Sequence, residues 1–452
     1  MYRFLIIVLC FCAVNLTSTR RIKYLPGFEG PLPFHLETGY VGVDVNEDVQ
    51  LFYYFIHSES NPKEDPLLLW LTGGPGCSSI SGLLLQIGPI EFAAVPYNGS
   101  LPTLIPRLFS WTKMANIIFL DIPIGTGFSY AKSTRSIHST DIQYFDHAYE
   151  FMRKWFKSNP EFASNPFYVA GDSYSGIPVP VITQLISNGN EDGTKPHINL
   201  KGYILGNPMT FPEADNYKIR FANGMGLISD ELYKSLFRSC RGEYRSGYVD
   251  QNNVECLQNL ELYQECINGI QVEDVLEPYC AAIASPIELP NQKRSKEHRP
   301  LSANYCQFDP KDLVNYWVND AGVREALNIR KGSIGDWIRC NYDTLNFTIT
   351  VNDVRPYHLN LSNKDYRSLI YSGDHDMQVP HQSTQAWIKD LDYYVNDQWR
   401  SWKLQGQIAG YTESYSNRMT FATVKGAGHI ATVYKPEECF VMFKRWIDDQ
   451  PL

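Results

Sequence analysis

The chain has 452 residues, of which 44% are hydrophobic and 20% are charged, values typical of a globular protein that exclude a disordered chain. The formal net charge of −9 argues against nucleic acid and anionic membranes as the main partners. A chain of this length suits a large α/β domain with insertions.

The chain begins with the pattern of a secretory signal peptide. Arg3 precedes an apolar run from Phe4 to Val14, and small polar residues follow that run. The run is too short to span a bilayer, and no later stretch is long and apolar enough to do so. We therefore interpret residues 1–18 as a signal peptide and expect no membrane anchor. A buried N-terminal strand is the alternative interpretation.

Short apolar runs predict the strands of a buried sheet, and helical patterns lie between some of them. The predicted strands are Gln50–His57, Leu67–Leu71, Asn116–Asp121, Phe167–Ala170, Gly202–Leu205, Arg367–Tyr371 and Thr420–Val424. The helical patterns are Asp146–Phe156, Val179–Ser187 and Glu437–Trp446. Strands that alternate with helices predict a mostly parallel sheet covered on both faces.

This alternation breaks between the fifth and the sixth predicted strand. Polar loops fill the region, and five cysteines lie between Cys240 and Cys306. We interpret residues 209–357 as an inserted cap whose small core is stabilised by disulfides. The two parts of the sheet domain are then residues 19–208 and 358–452.

The stretch FYVAGDSYSG places Ser173 after a predicted strand, with Gly171 two residues earlier. In an α/β-hydrolase the nucleophile stands on a sharp turn between a strand and a helix, where small neighbours are needed. The usual motif has glycine two residues after the serine, whereas this chain has Ser175 there and Gly176 next. Ser173 is therefore a candidate nucleophile, and a polar residue in a tight turn is the alternative.

A serine nucleophile needs a general base and a carboxylate that orients the base. In this fold class the chain order is serine, then carboxylate, then histidine. His429 follows the last predicted strand through a Gly-Ala-Gly turn, and a surface histidine is the alternative reading. The stretch RSLIYSGDHDMQVP offers Asp374 and Asp376, and the pattern does not choose between them.

The oxyanion of the reaction intermediate must accept hydrogen bonds from backbone N–H groups. Glycines allow the backbone to approach a substrate closely enough to donate them. The stretch LLLWLTGGPGCSS supplies such a loop at Gly73–Gly76, directly after a predicted strand. A purely structural turn is the alternative. Three stretches at strand ends, in the required order, favour a serine triad.

At these motifs the chain resembles the serine carboxypeptidases, and most closely the plant branch of serine carboxypeptidase-like proteins, which includes acyltransferases that use glucose-ester donors. The resemblance runs nearly end to end and rests on WLTGGPGCSS, IPIGTGFSY, GDSYSG, GNP, YSGDHD and GAGH in that order. It implies an α/β-hydrolase fold in which Ser173 is the nucleophile, His429 the base and Asp376 the carboxylate. It further implies oxyanion donors at the N–H groups of Gly74 and Tyr174, and a substrate-binding set of Trp70, Thr72, Gly73 and Asp172.

Two departures from the peptidase motifs decide which reaction we favour. Members of the family that cleave peptides typically carry W-L-N-G-G-P-G and G-E-S-Y-A-G, whose asparagine and glutamate grip the terminal carboxylate of the substrate. This chain has Thr72 and Asp172 at those positions, a pair common in the acyltransferase branch. The resemblance thus favours an acyltransferase of the sinapoylglucose type, with a small-molecule ester donor and a hydroxyl acceptor. A carboxypeptidase acting on peptide C-termini is the alternative, and an inactive binding protein is a third.

The remaining expectations concern modification and compartment. The resemblance suggests disulfides Cys77–Cys340, Cys240–Cys256 and Cys280–Cys306, with Cys266 and Cys439 unpaired. Sequons at Asn98, Asn346 and Asn360 fit glycosylated surface loops, and the signal predicts a secreted or vacuolar protein. No C-x-x-C pair occurs, which weakens a zinc interpretation, and we expect neither a metal nor a cofactor.

A basic, polar segment, PNQKRSKEHRP at 290–300, lies between two of the cysteines expected to be paired. Such a loop has little apolar surface to bury, and loops of this kind are where proteases cut. We expect it to be a processing site that divides the chain in two.

Overall fold

A computed structural model describes residues 20–95, 97–279 and 310–452 of the chain. The predicted signal peptide, the cysteine pair Cys280–Cys306 and the 290–300 segment lie outside the described residues. Within the described residues, no helix combines the length and the apolar character that a membrane crossing requires.

A twelve-stranded sheet forms the centre of the molecule, with the order β1-β2-β3-β7-β4-β10-β11-β13-β16-β15-β14 and β8 paired to β3. Its strands are β1 Arg20–Ile22, β2 Leu36–Val43, β3 Val49–Ile56, β4 Leu67–Leu71, β7 Asn116–Leu120, β8 Tyr130–Ala131, β10 Phe167–Asp172, β11 Leu200–Gly206, β13 Arg367–Gly373, β14 Val395–Leu404, β15 Gln407–Tyr415 and β16 Met419–Val424. Two small sheets pair β5 Ile90–Phe92 with β6 Leu104–Pro106, and β9 Ser139–Thr140 with β12 Phe347–Thr348.

The strands from β7 through β16 in this order are parallel, and the flanking strands are antiparallel. In β4 every residue is buried, and alternate side chains enter two different cores. Leu68 and Trp70 pack on one face, whereas Leu67, Leu69 and Leu71 pack on the other. Burial on both faces explains why the central strands read as continuous apolar runs in the sequence.

Helices cover both faces of the sheet. The helices are α1 Asp141–Ser158, α2 Pro178–Glu191, α3 Tyr217–Gly224, α4 Asp230–Cys240, α5 Val254–Ile267, α6 Pro310–Asn319, α7 Ala321–Ala326, α8 Arg355–Ser362, α9 His381–Asp390, α10 Ala431–Tyr434 and α11 Pro436–Ile447. Helices α1, α2, α8 and α9 contribute to the core on one face, and α6, α7, α10 and α11 to the core on the other. This arrangement is an α/β-hydrolase fold, as the sequence predicts.

The α1 helix shows how local sequence sets an element boundary. Thr140 caps its first turn in a capping box with Gln143, in which each side chain meets the backbone of the other. The helix therefore begins five residues before the predicted start at Asp146. Its buried face carries aromatic residues, among them Phe151 and Trp155, which pack beneath the sheet.

The region between β11 and β13 holds the helices α3 to α8. Helices α3, α4 and α5 form a small core of their own, closed by the disulfide between Cys240 and Cys256. Helix α6 instead packs into a main core of the sheet domain through Leu313 and Trp317. The domain boundaries at 209–357 stay a prediction, but part of this region is continuous with the sheet domain.

The second described disulfide joins Cys77 to Cys340, so two of the three expected pairs are confirmed. Cys266 and Cys439 are free, the first exposed and the second buried. The three sequon residues Asn98, Asn346 and Asn360 are exposed, as a glycosylation site must be, and their modification stays a prediction.

Candidate active site

Ser173 stands at the carboxyl end of a central strand. Strand β10 ends at Asp172, a single 3-10 turn covers Ser173–Gly176, and α2 begins at Pro178. Ser173 has a φ of 57°, in the left-handed region that costs a residue with a side chain about 1–2 kcal/mol. Such backbone strain at one polar residue between a strand and a helix is the geometry of a nucleophile elbow.

The glycines around Ser173 are required by close packing. A Cβ on Gly171 would lie 2.4 Å from the carbonyl oxygen of Leu71, and one on Gly176 would lie 2.1 Å from that of Met209. Ser175, in contrast, fits because its hydroxyl donates a hydrogen bond to the Leu71 carbonyl at 2.9 Å. The departure from the usual motif therefore leaves the turn intact.

His429 reaches Ser173 from the turn that follows β16. Its Nε2 lies 2.7 Å from the hydroxyl oxygen of Ser173. A Cβ on Gly428 would lie 2.3 Å from the carbonyl oxygen of Glu273, which also accepts the backbone N–H of His429. The glycine turn thus allows the imidazole to be held between the sheet and the inserted region.

The geometry chooses between the two candidate carboxylates. Oδ2 of Asp376 lies 2.8 Å from Nδ1 of His429, while its Oδ1 accepts hydrogen bonds from the backbone N–H groups of Gln378 and Val379 at 2.7 and 3.1 Å. Asp374 instead accepts a hydrogen bond from the backbone N–H of Gly426 at 2.7 Å. Asp376 therefore faces the imidazole of His429, and Asp374 stabilises the turn that precedes His429.

Electrostatics favour a charged imidazole at this position. Burial acts to lower the pKa of His429, but the charge of Asp376 and its hydrogen bond outweigh burial, and the charges of Glu273 and Asp172 add to them. The net effect raises the pKa of His429 above its ordinary value. An imidazole of this kind is a stronger proton acceptor than one in water.

Asn207 is a residue that the sequence reasoning left without a role. Its side-chain amide donates a hydrogen bond to Oδ2 of Asp376 at 2.7 Å, and its Oδ1 accepts the backbone N–H of Gly373 at 3.3 Å. Its φ of 44° lies in the left-handed region, which asparagine tolerates better than most residues. The GNP motif was the available signal, since it places this asparagine at the end of β11.

The loop after β4 packs directly on the serine turn. A Cβ on Gly73 would lie 2.6 Å from the Cβ of Ser173 and 2.9 Å from the backbone nitrogen of Tyr174. Gly74 has a φ of 122°, a conformation that favours glycine. The side chain of Tyr174 is held by a hydrogen bond to Asp141 at the start of α1. The backbone segments that carry the two predicted oxyanion donors, Gly74 and Tyr174, therefore lie next to Ser173.

A cleft of about 330 Å³ opens over Ser173 and His429. One part of its wall comes from the sheet domain and includes Thr72, Gly73 and Asp172. The other part comes from the inserted region and includes Glu273, Lys311, Arg339 and Tyr342. Sequence reasoning missed this second wall because Glu273, Arg339 and Tyr342 lie in loops without periodicity or motif, and Lys311 lies in a helix that the sequence analysis did not predict.

Trp70 is not among the described residues that line this cleft, and its assignment as a substrate-binding residue stays a prediction. Its side chain is fully buried in the core and packs against Trp111 with ring centroids 5.8 Å apart. Side chains within a strand point to one or the other face of the sheet, and that of Trp70 points into the core. The cleft opens instead beyond the carboxyl end of the strand.

Asp172 has an unusual environment for a carboxylate. It is buried, its Oδ1 accepts the backbone N–H of Gly73 at 3.0 Å, and its Oδ2 accepts the side-chain amide of Gln86 at 2.8 Å. Burial raises the pKa of Asp172 to about 6, although both hydrogen bonds act in the opposite direction. The hydroxyl of Thr72 is also buried, and it has no hydrogen-bond partner among the described residues.

A disulfide connects the two walls of the cleft. Cys77 follows the Gly73–Gly76 loop, and Cys340 lies in the inserted region. Backbone hydrogen bonds reinforce the junction, from Ser78 to the carbonyl of Arg339 at 2.8 Å and from Asn341 to that of Gly76 at 2.9 Å. The loop beside Ser173 is thereby fixed to the part of the insert that carries Arg339.

The parallel sheet and the serine at its nucleophile elbow define an enzyme of the α/β-hydrolase class that carries out hydrolysis or acyl transfer. Residues 26–449 match the family described as "Serine carboxypeptidase". The chain belongs to the serine carboxypeptidase family.

Similar proteins of known sequence come from Arabidopsis thaliana. The chain is 51% identical to "Serine carboxypeptidase-like 12" over 452 residues, covering 100% of this chain and 99% of that protein. It is 52% identical to "Serine carboxypeptidase-like 5" over 439 residues, covering 97% of this chain and 94% of that protein.

A solved structure shares the fold. It is a prohormone-processing carboxypeptidase from Saccharomyces cerevisiae, with a TM-score of 0.74, 19% sequence identity and 95% coverage of both chains. At this identity the likeness supports the architecture and carries no information on substrate.

Proposed function

We propose that this enzyme transfers acyl groups from glucose esters to an acceptor hydroxyl through an acyl-enzyme on Ser173, with His429 as base and Asp376 as its partner. The supporting observation is the environment of Thr72 and Asp172. Family members that cleave peptides hold a terminal carboxylate with an asparagine and a glutamate there. In this chain Thr72 has no amide group, and the carboxylate of Asp172 accepts hydrogen bonds from Gly73 and Gln86. No side-chain amide stands at position 72 to grip a substrate carboxylate.

The first half of the reaction follows from the hydrogen bonds at Ser173. Nε2 of His429 takes the hydroxyl proton while Oγ attacks the ester carbonyl. The N–H groups of Gly74 and Tyr174 stabilise the oxyanion that forms. The C–O bond to the glucose then breaks, and His429 returns the proton to the departing sugar oxygen. The acyl group is left as an ester on Ser173.

The second half repeats these steps with an acceptor. His429 removes the proton of the acceptor hydroxyl, whose oxygen attacks the acyl-enzyme, and Ser173 leaves with the proton restored. Water in the place of the acceptor gives hydrolysis. The outcome depends on whether the cleft wall of Glu273, Lys311 and Arg339 holds an acceptor against the acyl carbon.

One observation favours the carboxypeptidase alternative under acidic conditions. Burial raises the pKa of Asp172 to about 6, so at a lower pH its carboxyl group carries a proton. A protonated carboxyl can donate a hydrogen bond to the terminal carboxylate of a peptide, as a glutamic acid side chain would. Peptide release that appears only below about pH 6 would identify this second activity.

The test incubates purified protein with glucose esters plus a hydroxyl acceptor, and separately with blocked dipeptides. We expect ester consumption with formation of the transferred product, and little amino-acid release at neutral pH. Ser173→Ala is the inactive control. Rapid release of C-terminal residues without any transfer would overturn the acyltransferase proposal. Failure of a fluorophosphonate to label the wild-type protein would instead favour an inactive scaffold.

We further propose that the protein is secreted or vacuolar. Disulfides such as Cys77–Cys340 and Cys240–Cys256 persist in oxidising compartments, which agrees with the predicted signal peptide. Mobility shifts after enzymatic deglycosylation of the native protein test whether the exposed sequons at Asn98, Asn346 and Asn360 are used.

A further inference from the structure

Three potential metal ligands meet far from the cleft, at the ends of two paired strands. His35 immediately precedes β2, His57 immediately follows β3, and the neighbouring pair Leu36 and Ile56 are in antiparallel register. His57 therefore lies opposite His35, and its backbone N–H donates to the His35 carbonyl at 3.2 Å. Glu37 stands two residues after His35, so its side chain shares the same face of the sheet.

The side chains converge as this register requires. The two imidazole rings stack with centroids 3.9 Å apart, and Nε2 of His35 lies 2.6 Å from Oε1 of Glu37. One ligand atom from each of the three residues lies within 4.8 Å of the other two. Two donors on one tetrahedral zinc ion are about 3.4 Å apart, so the widest pair must close by about 1.4 Å at most, and the His35–Glu37 pair must open by about 0.8 Å to admit the ion.

We propose that His35, Glu37 and His57 form a binding site for a divalent transition-metal ion, zinc in the first instance, that links β2 to β3. Imidazole nitrogen and carboxylate oxygen are ordinary zinc ligands, and water would complete a four-coordinate ion. The side chains of His35 and Glu37 are 26% and 16% exposed, so an ion can enter from solvent. The rings of Phe55 and Phe162 pack against His57 with centroids 4.9 and 5.4 Å away and limit its rotation.

The position of the cluster indicates a stabilising role. Ile56 pairs with Ile117 at the start of β7, a strand parallel to β4 and β10. The cluster thus lies at the amino ends of the parallel strands, and the catalytic residues lie at their carboxyl ends. An ion here would hold the antiparallel edge of the sheet without contact to Ser173. The sequence pattern was missed because two of the ligands meet only through strand pairing.

One nearby cation opposes the binding of an ion. Arg21 lies directly across from Glu37 in the β1–β2 register. Its positive charge acts on His57 and lowers the pKa of that imidazole. Arg21→Gln should therefore increase zinc affinity if the ion binds at this cluster, and should leave it unchanged if the ion binds at a distant site such as His429.

The test measures zinc binding by the full-length protein after removal of bound metal with a chelator. Calorimetry with zinc chloride should show one site, and zinc should raise the melting temperature. His57→Ala and Glu37→Gln should each lower the affinity by about tenfold or more. His138→Ala is the matched control, because His138 is exposed and bonds only Thr348 in the described structure; it should bind zinc like the wild type.

X-ray absorption at the zinc edge should show two imidazoles among the ligands, which tests the assignment even if His57→Ala fails to fold. A wild-type protein that gains no thermal stability with zinc would overturn the proposal. The same holds if Glu37→Gln and His57→Ala bind zinc unchanged, because the ion would then reside elsewhere, for example at His429. In that case the cluster is a hydrogen-bonded His–Glu pair only.

Discussion

The side-chain amide of Asn207 and the imidazole of His429 share one oxygen of Asp376, at 2.7 and 2.8 Å. The amide therefore holds the carboxylate that faces the imidazole of His429. The other oxygen of Asp376 is held by two backbone N–H groups, so this carboxylate has little freedom to turn. If Asp376 orients the base as proposed, Asn207 acts through it and is a positioning residue.

Asn207→Gly should lower kcat/KM by about ten- to a hundredfold, because a hydrogen bond to a charged group contributes about 1.5–3 kcal/mol. Glycine keeps the left-handed backbone at this position and removes only the side chain. Asn328→Gly is the matched control, since Asn328 also has a positive φ, of 58°, but is exposed and far from the cleft. Unchanged kcat/KM in Asn207→Gly would show that Asp376 needs no such support.

Asp376→Ala should reduce kcat by about four orders of magnitude, close to the loss in Ser173→Ala, because the members of a triad act as a unit. Asp374→Ala should instead lower the melting temperature and leave most activity, since it removes a hydrogen bond to the turn at Gly426. Single-turnover kinetics and thermal unfolding separate the two effects. Severe loss in Asp374→Ala with an active Asp376→Ala would reverse the assignment.

The pH dependence of serine labelling should report the raised pKa of His429. Labelling by a fluorophosphonate needs the neutral imidazole, so its rate should fall as the pH drops through a midpoint above 6.5, the ordinary histidine value. The raised pKa of His429 also stabilises the folded protein. This stabilisation is fully present below pH 6.5 and is lost as the pH rises through the pKa of His429 in the folded state.

Asp172→Asn should move that midpoint to lower pH, because the charge of Asp172 contributes to the raised pKa of His429. Asp392→Asn removes an exposed charge outside the cleft and serves as the control. The fluorophosphonate does not depend on the residues that bind the substrate, so the midpoint of its labelling rate reports only the electrostatic effect of Asp172 on His429. A midpoint that is the same in all three proteins would exclude coupling between Asp172 and the base.

Thr72→Asn combined with Asp172→Glu should raise the ratio of peptide release to acyl transfer. A planar amide can donate to a terminal carboxylate, and a longer side chain can reach past Gly73. Thr72→Val is the control: the buried Thr72 hydroxyl has no described partner, so acyl transfer should persist. A raised KM for the ester in Thr72→Val, with kcat unchanged, would show that the substrate itself bonds this hydroxyl.

Cleavage within residues 290–300 should leave two chains joined by Cys77–Cys340, because this bridge spans the cut. Ser173 would then lie on the first chain, and Asp376 and His429 on the second. Protein from its native tissue should migrate as one band without reductant and as two bands with it. A single full-length band under reducing conditions means that the segment stays intact.

The sequence predicted the buried strands well because they depend on local signals. Continuous apolar runs identify strands such as β4 within a residue, and the glycines beside Ser173 and His429 are required by close backbone contacts. The antiparallel hairpin of β14 and β15 escaped prediction because most of its residues are exposed or only partly buried. An exposed strand lacks the apolar run that marks a buried one.

The parts of the site that were missed depend on contacts distant in the chain. Asn207 and Asp376 meet only because β11 and β13 are neighbours in the sheet. Arg339 reaches the cleft because Cys340 is bonded to Cys77. The core position of Trp70 was not foreseen for a related reason: a shared motif identifies a position in the chain but does not say whether its side chain points to the cleft or to the core.

The pairing of the neighbouring strands β11 and β13 also determines how the substrate preference of this enzyme can change during evolution. The chain leaves the sheet at Gly206, the carboxyl end of β11, and re-enters it at Arg367, the amino end of the parallel neighbour β13, so both ends of the intervening region are fixed by this strand pairing. Lengthening or replacing segments of that region alters what the cleft accepts while Ser173, Asp376 and His429 keep their places. New substrate preferences can therefore arise through loop exchange, without any renewed selection on the reaction chemistry.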